Sequence, residues 1–425
     1  MDTEFRTDPD FALELDRQDP LAAYRSRFAL PDPGLIYLDG NSLGRLPLAA
    51  AMRARQVVEQ EWGSNLVRGW NKGWWEAPGR VGEKIARVVG AGSGQVVVSD
   101  TTSVNLFKLV LAALALRPGK NRIVTDTLNF PSDLYVLEGC IRLLGDRHDL
   151  VRIDSPDGEI SPDLAALQAA INDDTALLTL SHVVFKSGYR YDLAALAETA
   201  HRHGALVLWD LSHSAGAVPV ELDAWGADLA VGCTYKYLNG GPGSPAFLYV
   251  RGGLQAEALS PIWGWWGQQA PFAFGQDFAP APGVQRFLTG TQPVLSLLTM
   301  EAALDVLLEA GLPALYAKSQ RLTGYLIRLA DEWLAPLGFR LGTPRDPDRR
   351  GSHVSLRHPE GYRLNRALIE EMNVLPDFRE PDNLRLGLAP LYTTFAEVRE
   401  AVERIRRAAA EGRHLKYPSA RQTVT

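Results

Sequence analysis

Asp210 ends an apolar run, Leu206–Trp209, and Lys236 follows a second, Leu229–Gly232, just ahead of the turn-forming Asn239-Gly240-Gly241-Pro242-Gly243. In an open parallel sheet, ligands gather at such strand ends, where loops leave polar groups beside a dry interior. A lysine there is costly to bury as a cation, so it becomes neutral or forms an imine. A carboxylate on the neighbouring strand end would keep a pyridine nitrogen protonated, so the pair suggests pyridoxal phosphate. An exposed lysine paired with a surface acid uses the same residue types, and the pair alone leaves both readings open.

Other stretches offer parts for such a site. Thr101-Thr102-Ser103 precedes a helical pattern, giving hydroxyls and free N–H groups to cradle a phosphate; a plain N-cap would read the same way. Phe130-Pro131-Ser132-Asp133 lies just past a strand, where an aromatic ring could cover a cofactor; alone, it is an ordinary proline-bearing helix start. Gly40-Asn41-Ser42-Leu43-Gly44 fits the Gly-x-Ser-x-Gly elbow of serine hydrolases. Its partners are poor, because Asp210 and His213 are only three apart on one loop. No metal is expected, since His201 and His203 share a polar helix face without nearby thiols.

The elements that must hold these residues alternate. Strands are expected at Val96–Ser99, Arg122–Thr125, Leu150–Ile153, Ala176–Ser181, Leu206–Asp210, Leu229–Gly232 and Phe247–Val250. Helices are expected between them at Val104–Leu116, Leu134–Leu144, Pro162–Ala170 and Leu193–His203. This is the pattern of a largely parallel sheet covered on both faces. The last two strands lack a crossover helix, so the final one is expected antiparallel. Beyond a Pro- and Gly-rich stretch, Gly264–Pro293, a helix running from Val294 past Glu309 and helices at Ala314–Leu334, Leu364–Met372 and Phe395–Ala410 flank strands at His353–Arg357 and Leu384–Leu388. They describe a smaller α+β domain. The tail from Gly412 reads as polar and frayed.

Composition excludes several classes. Over 425 residues, 46% are hydrophobic and 22% charged, ordinary for a soluble globular protein and unlike a disordered or disulfide-built chain. A net charge of −6 without a dense basic run argues against a nucleic-acid partner. Cys140 and Cys233 sit among apolar residues, so buried reduced thiols and a cytoplasmic location are expected. Met1 to Asp10 is acidic and polar, unlike a signal peptide. The longest apolar run, Leu109–Leu116, is too short for a membrane helix, and no membrane partner is expected.

Five stretches in order resemble the kynureninase family: Leu38-Asp39-Gly40-Asn41-Ser42-Leu43-Gly44, Phe130-Pro131-Ser132-Asp133, Asp210-Leu211-Ser212-His213, Tyr235 through Gly243, and Gly264-Trp265-Trp266-Gly267. The resemblance runs from about residue 36 to Tyr392. It implies an α/β, fold-type-I pyridoxal-phosphate enzyme with a mostly parallel seven-stranded sheet plus a smaller C-terminal α+β domain. The implied parts are an N-terminal segment, 1–40, packing with the small domain; a large cofactor-binding domain, 41–293; and a small domain, 294–425. The implied reaction is hydrolysis of L-kynurenine, or its 3-hydroxy form, to anthranilate or its 3-hydroxy form and L-alanine, in tryptophan breakdown or NAD synthesis.

By position, Lys236 resembles the family's cofactor-bonding lysine and α-proton base, and Asp210 the partner of the pyridine nitrogen. Thr102, Ser103 and Tyr235 match phosphate-holding positions, and Tyr235 is also a candidate for proton delivery. Trp265 and Thr291 would reach the phosphate from the neighbouring subunit of a homodimer with shared active sites. Phe130 matches the stacking aromatic; Asp133, Ser181 and His213 match further cofactor contacts. Arg385 matches the arginine that grips the substrate α-carboxylate, and Trp70 lies near a substrate-binding position. Gln268 departs from the family, which often has His there. An aminotransferase of the same fold and a non-catalytic scaffold are the alternatives; a cysteine desulfurase would need a thiol on a mobile loop.

Overall fold

The computed structural model describes residues 5–420. Runs such as Val96-Val97-Val98 and Leu206–Trp209 carry apolar side chains toward both faces, which only a sheet covered on both sides can satisfy. After β1 (Ile36–Tyr37) come β2 (Val96–Val98), β3 (Arg122–Asp126), β4 (Asp149–Ile153), β5 (Thr175–Ser181), β6 (Leu206–Asp210), β7 (Leu229–Gly232) and β8 (Phe247–Val250). The seven strands from β2 onward form one sheet in the order β2-β8-β7-β6-β5-β3-β4. The pairs β3/β4, β3/β5, β5/β6 and β6/β7 are parallel, and β8 runs antiparallel to both its neighbours, as its short connection predicts.

Helices α1 (Pro9–Arg17), α2 (Leu48–Gln56) and α3 (Ala77–Val88) precede this sheet. The connecting helices are α4 (Thr102–Ala115), α5 (Pro131–Leu143), α6 (Leu164–Ala170) and α7 (Leu193–Arg202). Alternation divides the strand residues between two cores. Val97, Ile123, Leu177 and Leu208 pack with α4 and Leu137 of α5 on one face, and Val98, Val124, Leu178 and Val207 pack with α3 and α7 on the other. The carboxyl ends of the parallel strands share one edge. Ser181 and Asp210 end β5 and β6 in register, and Lys236 leaves β7.

The chain continues through α8 (Val294–Ala310), α9 (Leu312–Trp333), β9 (Arg340–Leu341), β10 (His353–Arg357), α10 (Gly361–Glu371), β11 (Val374–Leu375), β12 (Asp377–Arg379), β13 (Asn383–Gly387) and α11 (Phe395–Ala410). An antiparallel sheet, β12-β13-β10-β9, packs its apolar residues with α9, α10 and α11. Although α8 begins at residue 294, its Leu297, Met300, Leu304 and Leu307 belong to the large core; core membership changes within the start of α9, between Leu315 and Leu322.

The N-terminal segment joins the second body. Phe11, Ile36 and Leu38 are buried in its core, and β1 pairs in parallel with β11. Asp16 accepts from the N–H groups of Phe395 (2.7 Å) and Ala396 (3.0 Å), serving the start of α11 beside that helix's own Thr394–Glu397 capping box.

The expected fraying from Gly412 is corrected over 412–417. Arg413–Lys416 forms a short helical turn with His414 buried, and Arg363 donates to the carbonyls of Leu415 (2.6 Å) and Tyr417 (2.7 Å). Residues 421–425 lie outside the described residues, as do the first four of the Met1–Asp10 stretch. Among the described residues no helix is long and apolar enough to cross a membrane.

Candidate active site

The strand ends enclose a cavity of about 230 Å³ lined by Asn41, Ser42, Thr102, Ser103, Phe130, Asp133, Ser181, Asp210, His213, Tyr235, Lys236, Arg379 and Arg385, among others. The lysine loop is held by its own backbone. Thr234 Oγ1 donates to the Pro245 carbonyl at 2.7 Å, the Gly240 N–H donates to the Thr234 carbonyl at 2.9 Å, and Gly44 N–H donates to the Tyr235 carbonyl at 2.7 Å. Lys236 Nζ thereby lies 2.9 Å from His213 Nε2. Burial, then the lysine charge, holds His213 well below the usual imidazole range. A neutral ring accepting at Nε2 carries its proton on Nδ1, and that atom is buried without a partner.

Asp210 is 6% exposed and accepts from the Ser212 N–H at 2.7 Å. Burial raises its pKa, against the pull of Ser212 and Lys236. Asp133, in the first turn of α5, is pushed well above the carboxylate range by burial and by Asp210 beside it. Two buried acids therefore face one amine.

The opposite wall is the start of α4. Thr101 is the N-cap, its Oγ1 accepting from the Val104 N–H at 3.3 Å, so the capping role falls to Thr101 and leaves Thr102 and Ser103 on the cavity. The first N–H groups of a helix lack intrahelical acceptors and suit an anion. Fully buried Lys108 fixes this corner, pairing with Asp100 and donating to the Phe287 carbonyl at 2.8 Å. Phe130 is 41% exposed, its ring edge-on to Phe185 at 5.2 Å. Ser181 Oγ donates to Asn129 Oδ1 at 2.6 Å.

Arg385 has a partner the sequence reading did not foresee. It is 1% exposed, and its cross-strand neighbour is Asp377. Arg385 Nε donates to Asp377 Oδ1 at 2.9 Å and Nη2 to Oδ2; Nη2 also donates to Ser42 Oγ (3.0 Å) and Nη1 to the Phe185 carbonyl (2.5 Å). With its amide turned oxygen-first, Asn41 accepts from Nε at 2.8 Å and from Nη2 at 3.1 Å. Burial pushes Asp377 up, but the Arg385 guanidinium outweighs it and holds the carboxyl below its usual range. Nearby Asp39 is raised to about 7, by burial and then by Asp377. Asn41, Ser42, Asp377 and Arg379 thus join the site. The first two lie in a quoted motif, but only the β12/β13 register reveals the others.

Trp70, Trp265 and Thr291 do not line this cavity. Trp70 packs edge-on to Trp74 and Trp266, Trp265 is 41% exposed, and Thr291 is exposed. Gln268 serves its own loop, donating to the Asp277 carbonyl (2.9 Å) and accepting from the N–H groups of Gln269 and Ala279. Ser42 donates to Asp377 Oδ2 at 2.9 Å, a carboxylate that the Arg385 guanidinium makes a weak base. His201 and His203 point to different aspartates, Asp228 and Asp173, each at 2.8 Å. Cys140 and Cys233 are free and buried.

Residues 315–405 match the family model described as the kynureninase C-terminal domain, and residues 59–221 match that of the DegT/DnrJ/EryC1/StrS aminotransferase family. The chain is 48% identical over 396 residues to a kynureninase from Pseudomonas fluorescens, covering 92% of this chain and 93% of that one. It is also 48% identical over 400 residues to one from Burkholderia pseudomallei, covering 93% and 94%. The chain belongs to the kynureninase family. Among solved structures, a cysteine desulfurase from Escherichia coli superposes with a TM-score of 0.77 at 19% identity, covering 92% of this chain and 98% of that one. A C–S lyase variant with glycine covalently linked to its PLP cofactor gives a TM-score of 0.76 at 19% identity, covering 90% and 98%. That likeness establishes the fold-type-I architecture, and the kynureninase relatives carry the specificity.

Proposed function

We propose that this chain is a kynureninase, a pyridoxal-phosphate-dependent hydrolase that cleaves the Cβ–Cγ bond of L-kynurenine to give anthranilate and L-alanine. The observation that carries this reading is the meeting of one amine, Lys236, with two buried carboxyls, Asp210 and Asp133, and a hydroxyl-rich helix start, in a chain 48% identical to curated kynureninases. The donor set fits the cofactor: an amine for its aldehyde, a carboxylate for its ring nitrogen, and Thr102, Ser103 and Tyr235 with the α4 N-terminus for its phosphate. His213, with a buried unpartnered Nδ1, and Phe130 suit the ring's two faces.

When bound, the cofactor supplies an electrophilic carbon for amines and a ring that accepts electrons from the α-carbon. The protein's part is to hold and move protons around it. Lys236 Nζ would be the base for the α-proton, with neutral His213 holding its position at 2.9 Å. Asp210 would meet the ring nitrogen, whose positive charge would favour its carboxylate, while burial and Asp210 push the Asp133 carboxyl well above the usual range. The hydroxyl of Tyr235, pushed above its ordinary pKa by the neighbouring Cys233 and by burial, would remain a proton donor for the carbonyl or the departing carbon. Water adds at the ketone; its oxygen leaves in the anthranilate carboxylate, and the three-carbon fragment takes a proton to become alanine. Ser181 would contact the cofactor, and Arg385 would contribute positive charge to recognition of the α-carboxylate.

The finer reading is a cytoplasmic homodimer in tryptophan catabolism or NAD synthesis. Trp265 and Thr291 would complete the phosphate site from the partner subunit, and Trp70 would border the substrate; the exposure of Trp263, Trp265 and Phe272 supports a covered face there. The chain is read as an N-terminal segment to residue 40, a cofactor-binding body and a smaller C-terminal body starting within α9.

Cofactor-loaded protein incubated with L-kynurenine and its 3-hydroxy analogue should release the corresponding anthranilate, followed by fluorescence, and alanine in equal amounts. No cleavage of either refutes the assignment; keto-acid-dependent amino transfer instead would make the chain an aminotransferase.

A further inference from the structure

Four of the five N–H donors of Arg385 are committed inside the protein: Nε and one Nη2 hydrogen to Asp377, the other Nη2 hydrogen to Ser42, and one Nη1 hydrogen to the Phe185 carbonyl. A single Nη1 hydrogen is left for a ligand, so Arg385 cannot present a two-pronged face to an incoming carboxylate in this arrangement.

Arg379 has the opposite character. It sits across from Asn383 at the end of β12, and it lines both the 230 Å³ cavity and an adjoining one of about 700 Å³. Its one ion pair among the described residues is Nη2 to Asp377 Oδ2 at 2.9 Å, and its Nε is buried with no acceptor. A buried N–H without a partner costs free energy until an acceptor arrives. The charges agree. Asp377 is shared by two guanidiniums, and the neighbouring acid, Asp39, has its negative form disfavoured by burial and by Asp377. The pair of arginines is therefore short of one anion.

We infer that Arg379 is a second substrate-positioning residue, which takes the α-carboxylate of the substrate jointly with the remaining Nη1 hydrogen of Arg385. The inference deepens the kynureninase reading and rests on it. Asp377 is then the fixed counter-ion that aligns the two guanidiniums.

The test uses holoenzyme carrying Arg379→Gln or Arg379→Lys and two binding probes read by titration. One is 4-(2-aminophenyl)-4-oxobutanoate, which has the carboxylate and lacks the α-amine; the other is kynuramine, which has the aliphatic amine and no carboxylate. Arg379→Gln should weaken the keto acid and raise KM for L-kynurenine by about tenfold or more, with kcat and kynuramine binding changed by less than about threefold. Arg379→Lys should recover part of the loss, since it restores charge without the fork. Equal weakening of both probes, or a fall in kcat at unchanged KM, overturns the inference. The kynureninase reading fails separately, if unmodified holoenzyme releases no anthranilate; the keto-acid titration still decides the role of Arg379 in that case.

Discussion

Asp377→Asn tests the buried charge cluster most directly. Asparagine keeps the shape of the side chain and removes the anion that Arg385 meets through Nε at 2.9 Å and through Nη2. Arg385 is 1% exposed, so water cannot replace the lost charge. Arg379, whose side chain is 37% exposed, adds less to the cost. Removing one member of a buried pair typically costs about 3–5 kcal/mol, because an uncompensated ion remains. The amide also brings an N–H toward donors already crowded around Oδ1 and Oδ2. Urea unfolding with saturating cofactor should therefore show Asp377→Asn less stable by about 3 kcal/mol or more. The double variant Asp377→Leu/Arg385→Met, with no buried ion left, should recover much of that loss while losing turnover. A single variant within about 1 kcal/mol of the parent, as exposed pairs give, would refute the claim that this pair is isolated from solvent.

Lys236→Ala should abolish the visible absorbance of the bound cofactor and the pyridoxyl-lysine found by mass spectrometry after borohydride reduction; survival of that adduct would remove Lys236 from the reaction. An added Cβ at Gly387 would lie 1.7 Å from the Asn41 amide, so Gly387→Ala should cost about 1–3 kcal/mol and raise KM by displacing Asn41 from Arg385, measured by denaturation and initial rates. Asp39 holds its proton in the folded chain up to about pH 7, whereas an unfolded aspartate releases it near pH 4. The folded state thus binds more protons through that window, and stability falls as pH rises across it, by up to about 4 kcal/mol from this group. Asp39→Asn should flatten that part of the stability–pH curve; an unchanged slope would show that Asp39 does not titrate there.

The central sheet was legible because its strands are unbroken aliphatic runs that no exposed helix could tolerate, and β6 and β7 lie where Leu206–Asp210 and Leu229–Gly232 placed them. Phe395–Ala410 was legible from its strong apolar periodicity, and Thr394 and Glu397 add a capping box. The region before Val96 was less so. Helix α3 contains Pro78, Gly79 and Gly82, residues that ordinarily argue against a helix, yet Gly82 is there because α3 lies directly on β2, where a Cβ would come 2.2 Å from the Val96 carbonyl. Val57–Asn65 is wound more loosely than an α-helix, and its exposed Val58 and Trp62 give no inward stripe to read. At the site, Lys236 and Asp210 were visible because each follows an apolar strand, whereas His213 was reached only through the family resemblance. Asp377 and Arg379 were not, because their meaning depends on the antiparallel register that sets Asp377 against Arg385.

The parallel pairing of Ile36–Tyr37 with Val374–Leu375, and the bridge between Asp39 and Gly387, impose an order on biosynthesis. The segment carrying Asn41 and Ser42 leaves the ribosome early, but its strand partners are made only after the whole central sheet. The central sheet can form during translation, while the corner around Arg385 must wait for β11 to β13. A chain that stalls before β11 would therefore hold Lys236 and Asp210 at their strand ends without Arg379 or Arg385 beside them.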